Sequence, residues 1–325
     1  MHPLLQVRDL TVGYCSDTGG QITALDSLSF DIAPGEAVGL LGESGCGKTT
    51  LALSLLRLLP QTARVLRGSI VFSGTELLNL KQRELEKIRG AGISMVYQEP
   101  GMALNPVICA GEQIAEVLRA HRPMSRQCAR DRAKVLLAQV GFSQESRIEE
   151  AYPHQLSGGE KQRVVIAQAI ACRPALIIAD EPNTALDPLT QLEIVSLLHK
   201  LKSELRIALL FITHDPGMLA QLVDRVLVVY AGRLIEEGTT GQVLQNPLHP
   251  YSNGLLRAQP GVLQSRSQKR RLSAIPGAPP DLASLPPGCA FEARCSERMD
   301  GCRMSKPPLF LGQNSRRVAC FKYAN

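Results

Sequence analysis

AVGLLGESGCGKTT, residues 37 to 50, decides the fold. Ala37 to Leu41 are apolar at every position and too few for a helix, the pattern of a strand buried on both faces of a parallel sheet. Gly42, Gly47, Lys48 and Thr49 follow with the spacing GxxxxGK[ST], and Thr49 to Leu59 reads as a helix. Strand, glycine loop and helix form the arrangement in which backbone N–H groups wrap a β-phosphate. Glu43, Ser44, Gly45 and Cys46 complete the loop, Lys48 answers the β and γ charges, and the Thr49 hydroxyl can ligate Mg²⁺, with Thr50 beside it. These residues predict an α/β chain that binds a nucleoside triphosphate.

Such a loop needs an acid at the end of a neighbouring strand. ALIIADEP, residues 175 to 182, supplies one, because Ala175 to Ala179 reads as a second buried strand and Asp180 emerges at its carboxyl end, where open α/β sheets bind ligands. Glu181 follows at once, giving one carboxylate for Mg²⁺ and a second to polarise the attacking water. That pair predicts hydrolysis as well as binding. His214 ends a further strand, Ile207 to Thr213, and is expected on the same carboxyl edge.

HQLSGGEKQR, residues 154 to 163, opens a helix of its own. Ser157 and Glu160 have capping-box spacing, and Val164, Ala167 and Ala171 give the helix an apolar stripe. Gly158 and Gly159 weaken a helix start unless something must approach the backbone closely. A helix N-terminus of this kind receives anions, so the chain carries a second phosphate-receptive element.

Around these motifs, alternation at Leu28, Phe30 and Ile32 predicts a half-buried antiparallel strand, residues 105 to 155 have helical spacing, with a stripe at Ala129, Ala133, Leu136, Leu137 and Val140 that Gly141 stops, and VLVVYAGRLIEEG, residues 226 to 238, reads as two strands about an Ala231-Gly232 turn. From about residue 260 the chain becomes Pro-rich, and the basic run Arg266 to Arg271 reads as a solvated linker to a small appendix. Of nine cysteines, Cys289, Cys295, Cys302 and Cys320 crowd that appendix. Four thiolates without His suit zinc or an iron–sulfur cluster, and their spacing does not choose between them. With 44% hydrophobic and 20% charged residues the 325-residue chain reads as folded and cytoplasmic, without a signal peptide or a membrane-spanning run. A formal charge of +6 without aromatic-basic interleaving does not call for nucleic acid.

LSGGE, placed after GESGCGKTT and before a strand ending in Asp-Glu, resembles the signature of the ATP-binding cassette ATPases. The resemblance covers residues 1 to about 258. It implies a P-loop NTPase (RecA-like) core, an antiparallel β subdomain and a helical subdomain over about 99–165. It also implies that Tyr14 stacks on adenine, Gln98 senses Mg²⁺ and γ-phosphate, Asp187 belongs to a loop crossing to the opposite subunit, and His214 contacts γ-phosphate. Two cassettes would then sandwich two ATP molecules, the Ser157–Glu160 turn of one capping the phosphate held by the other. The usual serine within the loop is replaced here by Cys46.

EPGMALNP at 99–106, NPLHPYSNGLL at 246–256 and the tail from Ile275 to Cys295 are similar to the oligopeptide/dipeptide (and nickel) importer branch. That similarity implies a second ATPase subunit, identical or related, two membrane permeases, and an extracytoplasmic solute-binding protein acting through them. It places the chain on the cytoplasmic face of the inner (plasma) membrane, and gives 259–325 as a C-terminal region whose four cysteines carry a four-iron four-sulfur cluster, zinc or unliganded thiols being the alternatives. Peptides are the implied solute, with nickel or a metal chelate as the alternative. A soluble cassette ATPase acting on ribosomes or DNA is the rival reading, disfavoured by a single cassette without sustained heptads. Glu181 argues against a module that binds ATP only to dimerise.

Overall fold

The structure, a computed structural model, describes residues 2–15, 20–143, 147–184, 186–259, 274–312 and 316–324. The basic run at 266–271 lies outside the described residues. In chain order the strands are β1 (Leu5–Cys15), β2 (Gln21–Ile32), β3 (Ala37–Leu41), β4 (Ala63–Phe72), β5 (Thr75–Glu76), β6 (Ile93–Val96), β7 (Leu176–Asp180), β8 (Ala208–Thr213), β9 (Arg225–Tyr230), β10 (Arg233–Thr239), β11 (Phe310–Leu311) and β12 (Arg317–Val318). The helices are α1 (Lys48–Leu55), α2 (Gln82–Ile88), α3 (Pro100–Ala103), α4 (Ala110–His121), α5 (Arg126–Gln139), α6 (Gly158–Ile170), α7 (Pro188–Leu205), α8 (Pro216–Leu222), α9 (Thr240–Gln245), α10 (Pro250–Arg257) and α11 (Gly301–Met304).

The chain divides into two compact units. The first draws on residues 1–33, 37–78 and 213–325. In it, β2-β1-β4-β5 form an antiparallel sheet in which Val7 pairs with Phe30 and Ile70, and Leu10 with Leu28. All five side chains are buried, so the alternation read along β2 is that of one covered face. β3 runs parallel to β9, and β9 turns back into antiparallel β10 through Ala231 and Gly232, at φ 46° and 75°. Two successive positive φ values give the turn the twist that flanking strands require. β10 takes β12 on its other edge, and β12 pairs with β11, so the tail is stitched into this unit.

That last strand pair is short, and charge reinforces it. Arg316 and Arg317 meet Glu236 and Glu237 of β10, with Glu236 fully buried. Helix α1 ends at Leu55, before the expected Leu59, because Arg57 turns left-handed at φ 50° and Pro60 follows closely.

The second unit comprises residues 34–36 and 79–212. Its parallel strands β6, β7 and β8 pair Val96 with Ala179 and Ile178 with Leu210. Helices α4, α5 and α6 pack on one another. The expected stripe of α5 is buried at Ala129, Ala133, Leu136 and Leu137, and Gly141 stops it at φ 97°. Helix α7 buries Ile194, Val195, Leu198 and Leu201.

Candidate functional site

In the first unit the loop between β3 and α1 is shaped by what its glycines exclude. A Cβ on Gly42 would lie 2.5 Å from the Val229 carbonyl oxygen and 2.6 Å from Cys46 Sγ, and one on Gly47 would lie 2.6 Å from the Ala24 carbonyl oxygen. Lys48 is buried, and its Nζ donates to the carbonyl oxygens of Gly42 (2.9 Å) and Glu43 (3.0 Å), which curls the loop back on itself. Ser44, Gly45 and Thr49 are exposed. The Tyr14 hydroxyl lies 3.1 Å from Thr50 Oγ1, so β1 delivers Tyr14 to the start of α1. Cys46 is buried, which pushes its thiol up, and its carbonyl accepts the Gly232 N–H at 3.0 Å. The Gly232 carbonyl in turn accepts the Asp26 N–H at 2.9 Å. His214 follows β8 and is exposed.

Glu43 is held from three sides. Its N–H donates to the Tyr251 hydroxyl (2.8 Å), its carbonyl accepts from Lys48, and its carboxylate takes Arg294 Nη1 at 2.7 Å and Nη2 at 3.0 Å. Arg294 is itself buried and donates further to the Tyr230 hydroxyl (3.2 Å) and the Pro276 carbonyl (3.0 Å). The hydrogen bonds to Glu43 raise its guanidinium pKa further, while burial pushes the Tyr251 phenol well up. Tyr230, Tyr251 and Phe291 pack ring against ring, with centroids 4.5 to 5.4 Å apart. Sequence reasoning missed Tyr251 and Arg294 as supports of the loop. Their only signal was membership of NPLHPYSNGLL and the Ile275–Cys295 tail.

The second unit places Asp180, buried, at the carboxyl end of β7. Glu181 comes next at φ 45°, a left-handed conformation uncommon for a residue with a side chain, fixed by its N–H donating to the Ile212 carbonyl (2.9 Å). Its carboxylate accepts the Thr184 hydroxyl at 3.0 Å. Gln98 is exposed just beyond β6.

Helix α6 begins with the capping box read from sequence: Ser157 Oγ accepts the Glu160 N–H (3.3 Å) and Glu160 Oε2 accepts the Ser157 N–H (2.8 Å). Ser157 and Gly158 are exposed. Close approaches to the diglycine are also made within this unit. A Cβ on Gly159 would lie 2.7 Å from Thr190 Cγ2, and one on Gly158 would lie 3.1 Å from Leu186 Cδ2. Thr190 also donates to Asp187, the N-cap of α7, through its N–H (3.1 Å) and hydroxyl (2.6 Å), and these bonds hold the Asp187 carboxyl below its ordinary range. The structure thus brings Gly159 and Asp187 onto one threonine.

The four tail thiols lie within one another's electrostatic reach. Burial first, and the neighbouring thiols second, push Cys289 up to about 11, and burial likewise raises Cys295 and Cys320, both of which also feel Cys302. Among the described residues, no three or more His, Cys, Asp or Glu side chains are grouped closely enough to hold a metal ion. Neither the expected iron–sulfur cluster nor the zinc alternative therefore finds a ready-grouped ligand set among the described residues. Zinc–sulfur bonds of about 2.3 Å in a tetrahedron bring thiolates to within about 4 Å of each other.

Comparison with known proteins agrees with this geometry. The ABC transporter family model matches residues 25–184, and the model of the oligopeptide/dipeptide transporter C-terminal region matches residues 235–302. The chain is 44% identical to the oligopeptide transport ATP-binding protein OppD of Salmonella typhimurium over 98% of this chain and 93% of that protein. It is 41% identical to the dipeptide transport ATP-binding protein DppD of Bacillus subtilis over 99% and 95%. A solved dimer of the ATP-binding cassette MJ0796, in a post-hydrolysis state bound to ADP and Pi, is similar at a TM-score of 0.65 and 30% identity, covering 73% of this chain and 98% of that one. Among the described residues no helix is long and apolar enough to cross a membrane.

Proposed function

The chain belongs to the ATP-binding cassette ATPases of the oligopeptide/dipeptide transporter family, and from that premise we propose that it drives peptide uptake through partner permeases by closing and opening a pair of cassettes on ATP. The observation that supports this most directly is the ready-formed loop, with Lys48 anchored on Gly42 and Glu43 while Ser44, Gly45 and Thr49 stay open to a ligand. Residues 42–50 cradle the phosphates, Lys48 neutralises β and γ charge, and Tyr14 contacts the adenine. Thr49, Gln98 and Asp180 would hold Mg²⁺, which would supply charge compensation for the transferring phosphoryl group. Glu181 accepts the proton of the attacking water, and His214 contacts the γ-phosphate.

Ser157, Gly158, Gly159, Glu160 and Asp187 act on nucleotide bound by a second ATPase subunit, a copy or a related chain. The exposure of Ser157 and Gly158 supports this, since the positive end of α6 remains available to an anion from outside. The nucleotide-binding domain is 1–258, with the permeases docking on its helical part at about 99–165, and 259–325 is the transporter-type tail. The names of the relatives, transport ATP-binding proteins, support membrane permeases as partners and a peripheral position at the membrane; the same reading takes the cytoplasmic face, two permeases and peptide delivery by an extracytoplasmic solute-binding protein.

Glu181→Gln tests this. ATP binding should persist, a dimer should accumulate in ATP on size-exclusion chromatography, and turnover should fall by about 10²–10⁴-fold. Turnover near the parent rate would remove Glu181 from the chemistry.

Cys289, Cys295, Cys302 and Cys320 would hold a four-iron four-sulfur cluster. Four soft ligands crowded into the tail, with each of Cys289, Cys295 and Cys320 influenced by neighbouring thiols, support it. Protein purified without oxygen should be brown and hold about four iron atoms per chain. Colourless protein without iron would refute the assignment.

A further inference from the structure

Arg294 joins the tail to the nucleotide loop. Arg294 lies in the turn between Cys289 and Cys295, is buried, and forks both guanidinium Nη atoms onto the Glu43 carboxylate at 2.7 and 3.0 Å. A bidentate pair fixes orientation as well as distance. The other two anchors of Glu43 are the Tyr251 hydroxyl on its N–H and Lys48 Nζ on its carbonyl. Phe291, also from the tail, packs edge-on against Tyr251 and Tyr230, and the Tyr230 hydroxyl accepts from Arg294. Of the three anchors of Glu43, the tail therefore supplies one, Arg294, and packs against a second, Tyr251, leaving Lys48 as the third.

We propose that Arg294 is a positioning residue for nucleotide binding: through Glu43 it holds the phosphate loop in its ligand-ready shape before ATP arrives. A loop fixed beforehand loses less conformational freedom when the ligand binds, so the contribution appears in affinity and not in the chemical step. Arg294 touches no reacting atom, which separates it from the residues assigned to hydrolysis. The inference rests on the ATPase reading and adds to it a role for the C-terminal segment.

The test uses the full chain, with a fluorescent ATP analogue for equilibrium binding and steady-state turnover for KM and kcat. Arg294→Met should raise Kd and KM about tenfold with kcat retained, a coupling within the range seen for residues in one charge network. Glu43→Gln removes the same ion pair from the other end without disturbing the packing of the tail, and should give a similar loss. Arg294→Lys, which keeps the charge but not the fork, should fall between parent and Arg294→Met. The double variant should be no worse than either single one. If Arg294→Met and Glu43→Gln both bind within about twofold of the parent, or if their losses multiply in the double variant, the positioning role is wrong. A loss of kcat at unchanged Kd would overturn it equally. A parent protein that bound no ATP would refute the ATPase reading instead, so the two failures are distinguishable.

Discussion

Replacing Arg316 with methionine should be among the most destabilising single changes in the tail. Glu236, on β10, is fully buried and accepts the N–H groups of Leu248 (2.8 Å) and His249 (2.9 Å) as well as Arg316 Nη2 (2.7 Å). Arg316 also donates to the Asn246 carbonyl at 2.7 Å. Methionine approximates the volume but leaves a buried carboxylate with two backbone donors and no cation. Removing one partner of a buried ion pair costs about 3–5 kcal/mol, and the two surviving backbone bonds place this case near 3. At about 2–4 °C per kcal/mol for a chain of this size class, the melting temperature should fall by roughly 6–12 °C. Thermal unfolding followed by circular dichroism reads this directly. Glu236→Gln added to Arg316→Met should recover more than half of the loss, because the stranded charge is then gone. A single variant melting within about 1 °C of the parent, or a double variant no better than the single, would refute the reasoning.

His249 is buried, and burial lowers its pKa to about 4. Its folded pKa lies below the unfolded value, so the folded state is favoured above about pH 6.5 and loses that advantage as pH falls toward 4, by about 2 kcal/mol at pH 5. Urea titrations at pH 7 and 5 should show that His249→Asn loses less stability over this window than the parent, and equal losses would remove His249 as the cause. For Gly159→Ala, helix propensity favours alanine by about 1 kcal/mol, but the clash with Thr190 Cγ2 adds about 1–3 kcal/mol against it. The single variant should be destabilised on urea titration, and Thr190→Ser, which deletes that methyl while keeping the hydroxyl, should reverse the sign. A stabilised Gly159→Ala would show that the helices yield.

Residues 37–50, 226–238 and 157–160 were legible because strand, turn and cap signals are local. The tail was harder. Cysteines and prolines mark it out in sequence, but β12 joins β10 through Glu236–Arg316 and Glu237–Arg317, pairs far apart along the chain and invisible to any periodicity. Arg294 and Tyr251 were missed as loop supports for the same reason. The diglycine was read as room for a ligand, and Gly159 proves to give room to Thr190 as well, a packing demand that only the adjacent start of α7 reveals.

Gly232 joins segments that are synthesised at different times. Its N–H serves Cys46, its carbonyl serves Asp26, and a Cβ there would lie 2.4 Å from the Ala24 carbonyl oxygen. During translation the phosphate loop leaves the ribosome long before this hairpin tip does, so this brace, like those from Tyr251 and Arg294, arrives late. We expect a stalled nascent chain ending before Arg225 to hold nucleotide poorly although every loop residue has already been made. Tight binding by that stalled chain would show that the loop matures without the brace.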